Sequence, residues 1–316
     1  MSWRHSSERI AKRLGQSVIT VVGVTILTFC LVRFIPGDPV STLLGSQATP
    51  AAVAELTKEY HLNEPFVQQF VDFVGGLLHG DLGVSLIQGT PVLSIVGQAL
   101  PVTLAVVLLG LAIGVFGGVI LGLAAALNKQ RGLDTGVRVW AMIMTTTPTF
   151  LVALLFILFF ALDLNWFPAG GWAGQYPQNF AYLVLPSVAM SLPTIAPQTA
   201  RAVRRGALDI ADAQFMEAAR SRGISERSLV LRHVLPNSVL PVITLVGISF
   251  GGLLTGAIFA EAVFDLPGLG AQMTSAVQAR DYPVIQGIAL ITAVGVIVGN
   301  LLAEIAYTLV DPRARR

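Results

Sequence analysis

The sequence predicts an all-α integral membrane protein with six transmembrane helices and both termini in the cytoplasm. Three observations predict it: a deficit of charge, apolar runs of membrane length, and a one-sided placement of Lys and Arg. Of 316 residues, 54% are hydrophobic and 12% charged, with a mean hydropathy of +0.72. Soluble domains carry about 25% charged residues, so this chain has too little polar surface for a globule in water. About 20 residues at 1.5 Å each cross the ~30 Å bilayer core. Six runs reach that scale: Leu14–Val32, Ala99–Leu127, Val139–Leu162, Tyr182–Ala200, Val239–Val263 and Val284–Val310.

Basic residues near the spans stay on the cytoplasmic side. The N-terminus holds Arg4, Arg9, Lys12 and Arg13, and the loop after span two holds Lys129, Arg131 and Arg138. The loop after span four has Arg201, Arg204, Arg205, Arg220, Arg222, Arg227 and Arg232, and the C-terminus adds Arg313, Arg315 and Arg316. Only Arg33, Lys58 and Arg280 fall on the opposite side. The chain then divides into the cytoplasmic N-terminus with span one (1–35), an extracytoplasmic segment (36–98), and a core of spans two to six (99–316) with a polar loop at 201–238.

Span one follows basic residues, as a signal peptide would. Its run of about 19 apolar residues exceeds the usual signal h-region, and no small-x-small cleavage site closes it, which predicts an uncleaved helix. The outer segment predicts two short helices. Thr49-Pro50 reads as N-cap and first helical position of one over 50–60; the other runs over 65–78 and stops before Gly80. Phe66, Val67, Phe70, Phe73, Val74 and Leu77 form an apolar stripe on the second at helical spacing. Packing on the transmembrane helices explains that stripe better than a ligand site, while the segment as a whole is a candidate dock for an extracytoplasmic protein. In span two, Gly110, Gly114, Gly118 and Gly122 share one face and invite close helix approach. Gly247, Gly251, Gly252 and Gly256 do the same in span five, with internal packing favoured over a pore or subunit interface.

The loop at 201–238 is the most informative stretch. Gln214 to Arg222 predicts a short helix that Gly223 stops, supplying the left-handed residue favoured after a helix C-terminus. Ser225 predicts the N-cap of a second helix through about His233, with Pro236 ending it before span five begins. Two short helices in a tight elbow form a knob fit for a groove on another protein.

Catalytic signatures are missing. Lys12, Lys58 and Lys129 are followed by Arg13, Glu59 and Gln130, so none belongs to a phosphate-binding loop of the Gly-rich Lys-Ser/Thr type. His5, His61, His79 and His233 are scattered, without metal-ligand spacing. Cys30 is the only cysteine and cannot form an intrachain disulfide. The net charge of +2 does not point to nucleic acid. A self-contained ion-coupled carrier would need ionisable groups at mid-membrane. Glu261 and Glu304 lie toward opposite span ends, and an Arg partner explains Glu304.

Glu217-Ala218-Ala219, three residues, Gly223, nine residues, then His233-Val234-Leu235-Pro236 resembles the EAA loop of ABC importer permeases. The stretch from Arg232 to Asn237 resembles the oligopeptide/dipeptide branch. Similar motifs follow in order: Gly256 to Phe264, Pro267-Gly268-Leu269-Gly270, Arg280-Asp281-Tyr282-Pro283 and Asp311-Pro312-Arg313. Ile35-Pro36-Gly37-Asp38-Pro39 and Gly80-Asp81-Leu82-Gly83-Val84-Ser85 resemble the first of the two permeases in such systems. The chain departs from the common pattern at His233 (often Ile), Gln214-Phe215-Met216 (often Asp-Tyr-Val) and Glu304 (often Asp).

The resemblance implies a type I importer permease fold in a bacterial or archaeal cytoplasmic membrane. Its partners would be a second related permease, two cytoplasmic ATPase subunits that bind ATP and Mg, and an extracytoplasmic substrate-binding protein. Membrane lipid surrounds it, with no cofactor in this chain and no nucleic acid. Di- or oligopeptides are the implied solute, and the same branch also includes importers of nickel, glutathione and other small solutes. The implied coupling residues are Glu217, Ala218, Ala219, Arg220, Gly223, Leu235 and Pro236.

Overall fold

A computed structural model of the chain describes residues 15–30, 40, 44, 48–59, 63–174 and 179–310. The basic termini, Arg33, His61 and the motifs at Ile35–Pro39 and Asp311–Arg313 lie outside these residues. Thirteen helices are labelled among those described: α1 (Gly15–Cys30), α2 (Pro50–Glu59), α3 (Phe66–Leu78), α4 (Val92–Leu127), α5 (Gly132–Thr146), α6 (Thr149–Phe156, continuing as a π-helix over Ile157–Asp163), α7 (Asn179–Ser191), α8 (Ile195–Ala211), α9 (Gln214–Ser221), α10 (Glu226–Leu229), α11 (Leu235–Val263), α12 (Leu269–Ala279) and α13 (Tyr282–Val310). A π-helical turn over Val230–Val234 joins α10 to α11. Three uninterrupted helices are long and apolar enough to cross a membrane, and two bent pairs meet the same test jointly.

The chain forms two compact units, one of Trp3–Thr103 with Pro267–Gly295, the other of Leu104–Leu266 with Val296–Arg316. In the first, Val92, Ile95 and Val96 of α4 pack with Leu269 and Ala276 of α12 and with Ile285 and Ile288 of α13. The α3 stripe is used for packing: Phe29 of α1 is fully buried, with ring centroids 5.2, 5.1 and 5.6 Å from Phe66, Phe70 and Phe73. Thr49 caps α2 as expected, its hydroxyl accepting from Ala52 N–H at 3.3 Å. Helix α12 was not expected from the sequence. Its buried first turn is satisfied by Thr103, whose hydroxyl accepts from Leu269 N–H at 2.8 Å.

Two motifs that are distant in the sequence meet in this unit. Asp281 is 2% exposed. It accepts from Ser85 Oγ at 2.5 Å, Leu86 N–H at 3.2 Å and Ile87 N–H at 3.4 Å. Arg280 takes a left-handed φ of 56° to turn the chain into α13. The carboxylate thus clasps the 80–91 loop to the start of α13. Asp281→Ala removes three acceptor contacts, two of them fully buried, and is expected to destabilise the protein by on the order of 3 kcal/mol. Thermal unfolding in nanodiscs reads this; an unchanged midpoint would show that the clasp carries no stability.

In the second unit the glycine face of α4 lies against α7 and α8. A Cβ on Gly110 would sit 3.0 Å from Ser187 O, one on Gly118 would sit 2.7 Å from Ala196 O, and one on Gly122 would sit 2.5 Å from Ala200 O. Ser187 Oγ donates to Val106 O at 3.0 Å across the same contact. Gly247 and Gly251 admit Ala303 and Val296 of α13 in the same way. Internal packing therefore accounts for the α4 stripe and half of the α11 one. Gly252 has nothing within 4 Å, and Gly256 only touches Met190 at 4.0 Å.

Three expectations about continuity need correction. Spans three and four are not single rods: α5 and α6 meet at 106°, α7 and α8 at 56°. Pro193 lies at the second break, where Thr194 leaves helical geometry at φ −109° and ψ −89°; at the first, Pro148 disfavours the α region for the residue before it. Thr147 is accordingly extended, at φ −84° and ψ 126°. Pro236, by contrast, stops nothing, and helix runs unbroken from Glu226 to Val263. The wide π turn ahead of it, where Leu235 N–H donates to Val230 O, shifts the ladder by one residue and accommodates a proline at the start of α11. Spans two and six begin earlier than expected, at Val92 and Tyr282.

Candidate functional site

The elbow between α8 and α11 is built as the sequence suggests. Ala213 is extended (φ −76°, ψ 141°), and α9 follows. Gly223, at φ +79°, ends it. Gly223 N–H donates to Arg220 O at 2.9 Å and Ile224 N–H to Ala219 O at 3.3 Å, the paired bonds of a Schellman C-cap. Ser225 then caps α10, its hydroxyl accepting from Ser228 N–H at 3.4 Å.

An apolar floor seats this elbow. Met216 of α9, Leu229 of α10 and Val234 pack with Ala126 of α4 and Ala207 of α8. Met216 and Leu229 are almost fully buried, and losing either would undock the short helices, which are too brief to stand alone. Lys129 Nζ, 3.1 Å from Asp212, bridges the loop after α4 to the end of α8.

The expected residues divide between the two faces. Glu217, Ala218 and Gly223 are exposed, Ala219 and Leu235 are half-buried, and Pro236 is exposed on the first turn of α11. Arg220 is engaged within the elbow: its Nε donates to Glu226 at 2.8 Å. That carboxylate raises the guanidinium above its usual pKa. Both groups are exposed, so the pair braces the turn without adding much stability. Asn237 Nδ2 donates to His233 O at 2.7 Å beside the π turn.

Sequence reading missed the apolar part of the outer surface. Phe215 is 52% exposed, Leu231 51% and Ile224 39%, and the Phe215 ring lies 6.2 Å from His233. The available signal was Phe215 directly before Met216 on an eight-residue helix, where adjacent side chains cannot both face the floor. Exposed apolar side chains rimmed by Arg and Glu mark a surface suited to protein contact.

Behind the elbow lies a buried ion pair. Asp134 of α5 is 1% exposed. It receives Arg204 Nε of α8 at 2.6 Å on one oxygen, and a second Arg204 nitrogen at 2.9 Å on the other. Gln130 N–H donates to Asp134 at 3.2 Å, and Arg138 stands 3.6 Å away.

The described residues thus form bent apolar helices, several long enough to cross a membrane, with a short-helix elbow between α8 and α11, an arrangement that suits a membrane transport component. The family models agree. Residues 118–316 match the binding-protein-dependent transport system inner membrane component, and residues 8–107 match the N-terminal part of such components. The chain belongs to this family and is the inner-membrane permease subunit of an ABC importer.

Relatives align along nearly the whole length. A Brucella abortus protein named as a peptide transport system permease is 35% identical, covering 97% of this chain and 98% of that one. A dipeptide transport system permease of Lactococcus lactis is 33% identical over 97% and 98%. An oligopeptide transport system permease of Bacillus subtilis is 31% identical over 96% and 98%. Among solved structures, an inward-facing methionine ABC transporter aligns with a TM-score of 0.56 and 18% identity, covering 69% of this chain and 96% of that one. That likeness concerns the fold.

Proposed function

We propose that this permease moves di- or oligopeptides inward, with the elbow transmitting ATP-driven motion from separate subunits. The relatives' names support the peptide reading, and the exposed knob of α9 and α10 supports the coupling reading. The assembly would contain a second related permease, two ATPase subunits carrying ATP and Mg, and a substrate-binding protein outside. This chain would then be a transport subunit without its own ATPase site. Six spans with cytoplasmic termini fit α1, α4, the two bent pairs, α11 and α13, with seventeen of the twenty Lys and Arg on one side.

In this scheme Glu217 and Ala218 face the ATPase groove, Ala219 packs on the floor behind them, Phe215, Ile224 and Leu231 supply apolar grip, and Arg220 with Gly223 holds the turn. Leu235 and Pro236 join the knob rigidly to α11, so a push on α9 reaches the membrane without a flexible hinge. The ATPase drives transport only if it binds one state of the elbow better than the other.

Gly223 is the place to test it. A Cβ there meets nothing within 4 Å, so substitution acts through backbone strain alone, about 1–2 kcal/mol for most L-residues in the left-handed region. Gly223→Arg is expected to weaken ATPase co-purification and lower stimulated ATP hydrolysis several-fold in nanodiscs. Gly223→Asn, which tolerates that conformation, should retain most of both. Full ATPase association and stimulation in the Arg variant would overturn the coupling role.

A further inference from the structure

Helix α8 has a buried face of Ile195, Ala196, Pro197, Thr199, Ala200, Val203 and Ala207. Its exposed residues are Gln198, Arg201, Arg205 and Asp209. Their spacing of three, four and four places them in one stripe. The large exposed residues of its neighbours have a different character: Leu108, Phe116 and Ile120 on α4, and Ile248 and Phe259 on α11. Such side chains suit lipid. A Gln amide does not, because hydrocarbon offers no partner for its polar atoms.

Gln198 lies within the apolar run Tyr182–Ala200, and its amide makes no hydrogen bond among the described residues. Arg205 likewise has no hydrogen bond or ion pair among them. Arg201 leans on α5, donating to Thr145 Oγ1 at 3.1 Å and Ala141 O at 3.5 Å. Depth follows from the packing of α8 against α11. The helices run antiparallel through the elbow, and Gly206 faces Ser238, whose Cα would lie 3.1 Å from a Cβ at 206. Gln198 stands about 12 Å up α8 from that contact, and the exposed Thr244 about 9 Å up α11. Two exposed polar side chains therefore occur at similar depth on helices packed together.

We propose that Gln198 lines the hydrated route by which solute passes through this permease, with Arg201 and Arg205, one and two turns further along α8, attracting a solute carboxylate. Water satisfies the Gln amide, and the arginines favour anionic or zwitterionic solutes over cations. The inference rests on the importer function and adds the residues that the solute meets. It differs from the coupling role of the elbow, which concerns a protein surface.

The lone Cys30 makes the test direct. In a Cys30→Ser background, Gln198→Cys and the control Phe116→Cys are assembled with their partners in nanodiscs. Each is treated with anionic, cationic and lipid-soluble thiol reagents, and co-purification and ATP hydrolysis are measured on the same samples. Gln198→Cys is expected to react with both water-soluble reagents, and Phe116→Cys with the lipid-soluble one only. The anionic reagent should be favoured over the cationic by about tenfold, and Arg205→Gln should lower that preference.

Labelling of Gln198→Cys by the lipid-soluble reagent alone would place it in the bilayer and overturn the proposal. Protection from every reagent in the complex, with reactivity in the isolated chain, would place it at a subunit interface and overturn it equally. If no ATPase subunit joins the complex, the assembly reading fails separately, while labelling still decides whether Gln198 meets water.

Discussion

Gly122→Leu is expected to produce the largest loss of stability of any single change in α4, on the order of 3 kcal/mol or more, because overpacking here meets backbone. A Cβ at 122 would lie 2.5 Å from Ala200 O and 3.0 Å from its Cα. Relief requires α4 and α8 to separate, and separation also loosens the floor that Ala126 and Ala207 provide beneath Met216. The variant should therefore lose the elbow as well as the helix contact. Gly118→Leu should follow closely, since its Cβ would lie 2.7 Å from Ala196 O. Gly114→Ala should still cost stability, because its Cβ would press on Cγ2 of Ile195, a fully buried β-branched side chain with little freedom to turn aside, but a single methyl costs less than a Leu at 118 or 122. Gly117→Leu is the control: it is on the same helix with nothing within 4 Å. Unfolding midpoints in nanodiscs should fall in that order. Equal midpoints for the 117 and 122 variants would show that the glycine face is not a packing face.

These glycines also show what a sequence can and cannot reveal about such a fold. Four glycines at spacing four can only share a face, so the close contact was legible, although its partners on α7 and α8 were not. Local chemistry was similarly plain: Thr49, Gly223 and Ser225 sit where cap and turn rules place them. Prolines were harder. Pro148 and Pro193 lie at helix breaks, Pro101, Pro186 and Pro241 sit inside helices, and Pro236 follows a π turn that accommodates it. That turn depends on the seating of Leu229 and Val234 against α4 and α8, a tertiary fact that residue order does not encode. Long-range polar pairs were the least legible. Asp281 with Ser85, and Asp134 with Arg204, join residues separated by 196 and 70 positions. In the sequence each is visible only as a fragment of a motif or as one more charge in a topology count. The residues proposed for coupling stand out in the sequence through their motif, whereas the exposed apolar side chains of Phe215, Ile224 and Leu231 needed the fold to be seen.

Arg204→Ala is expected to cost about 3–5 kcal/mol, as removal of one partner from a buried ion pair generally does. Asp134 is 1% exposed and Arg204 23%, so deleting the arginine leaves a largely enclosed carboxylate without its forked partner. Arg138, 3.6 Å away and half exposed, can compensate only in part. Arg204→Lys should recover little, because an ammonium cannot bond both carboxylate oxygens in the forked geometry that Nε and its terminal nitrogen provide. The double change Asp134→Leu with Arg204→Met should be far milder than Arg204→Ala, since it removes both the charge and its need for a partner. Thermal unfolding of the wild type, Asp134→Leu, Arg204→Met and the double variant gives the coupling directly through a double-mutant cycle. The pair fixes α5 to α8, the helix that leads into the elbow. The single variants are therefore expected to reduce stimulated ATP hydrolysis along with stability, and the double variant to restore stability more fully than activity. Additive effects of the single changes would refute the pairing, and a stable Arg204→Ala protein would show that Asp134 is hydrated.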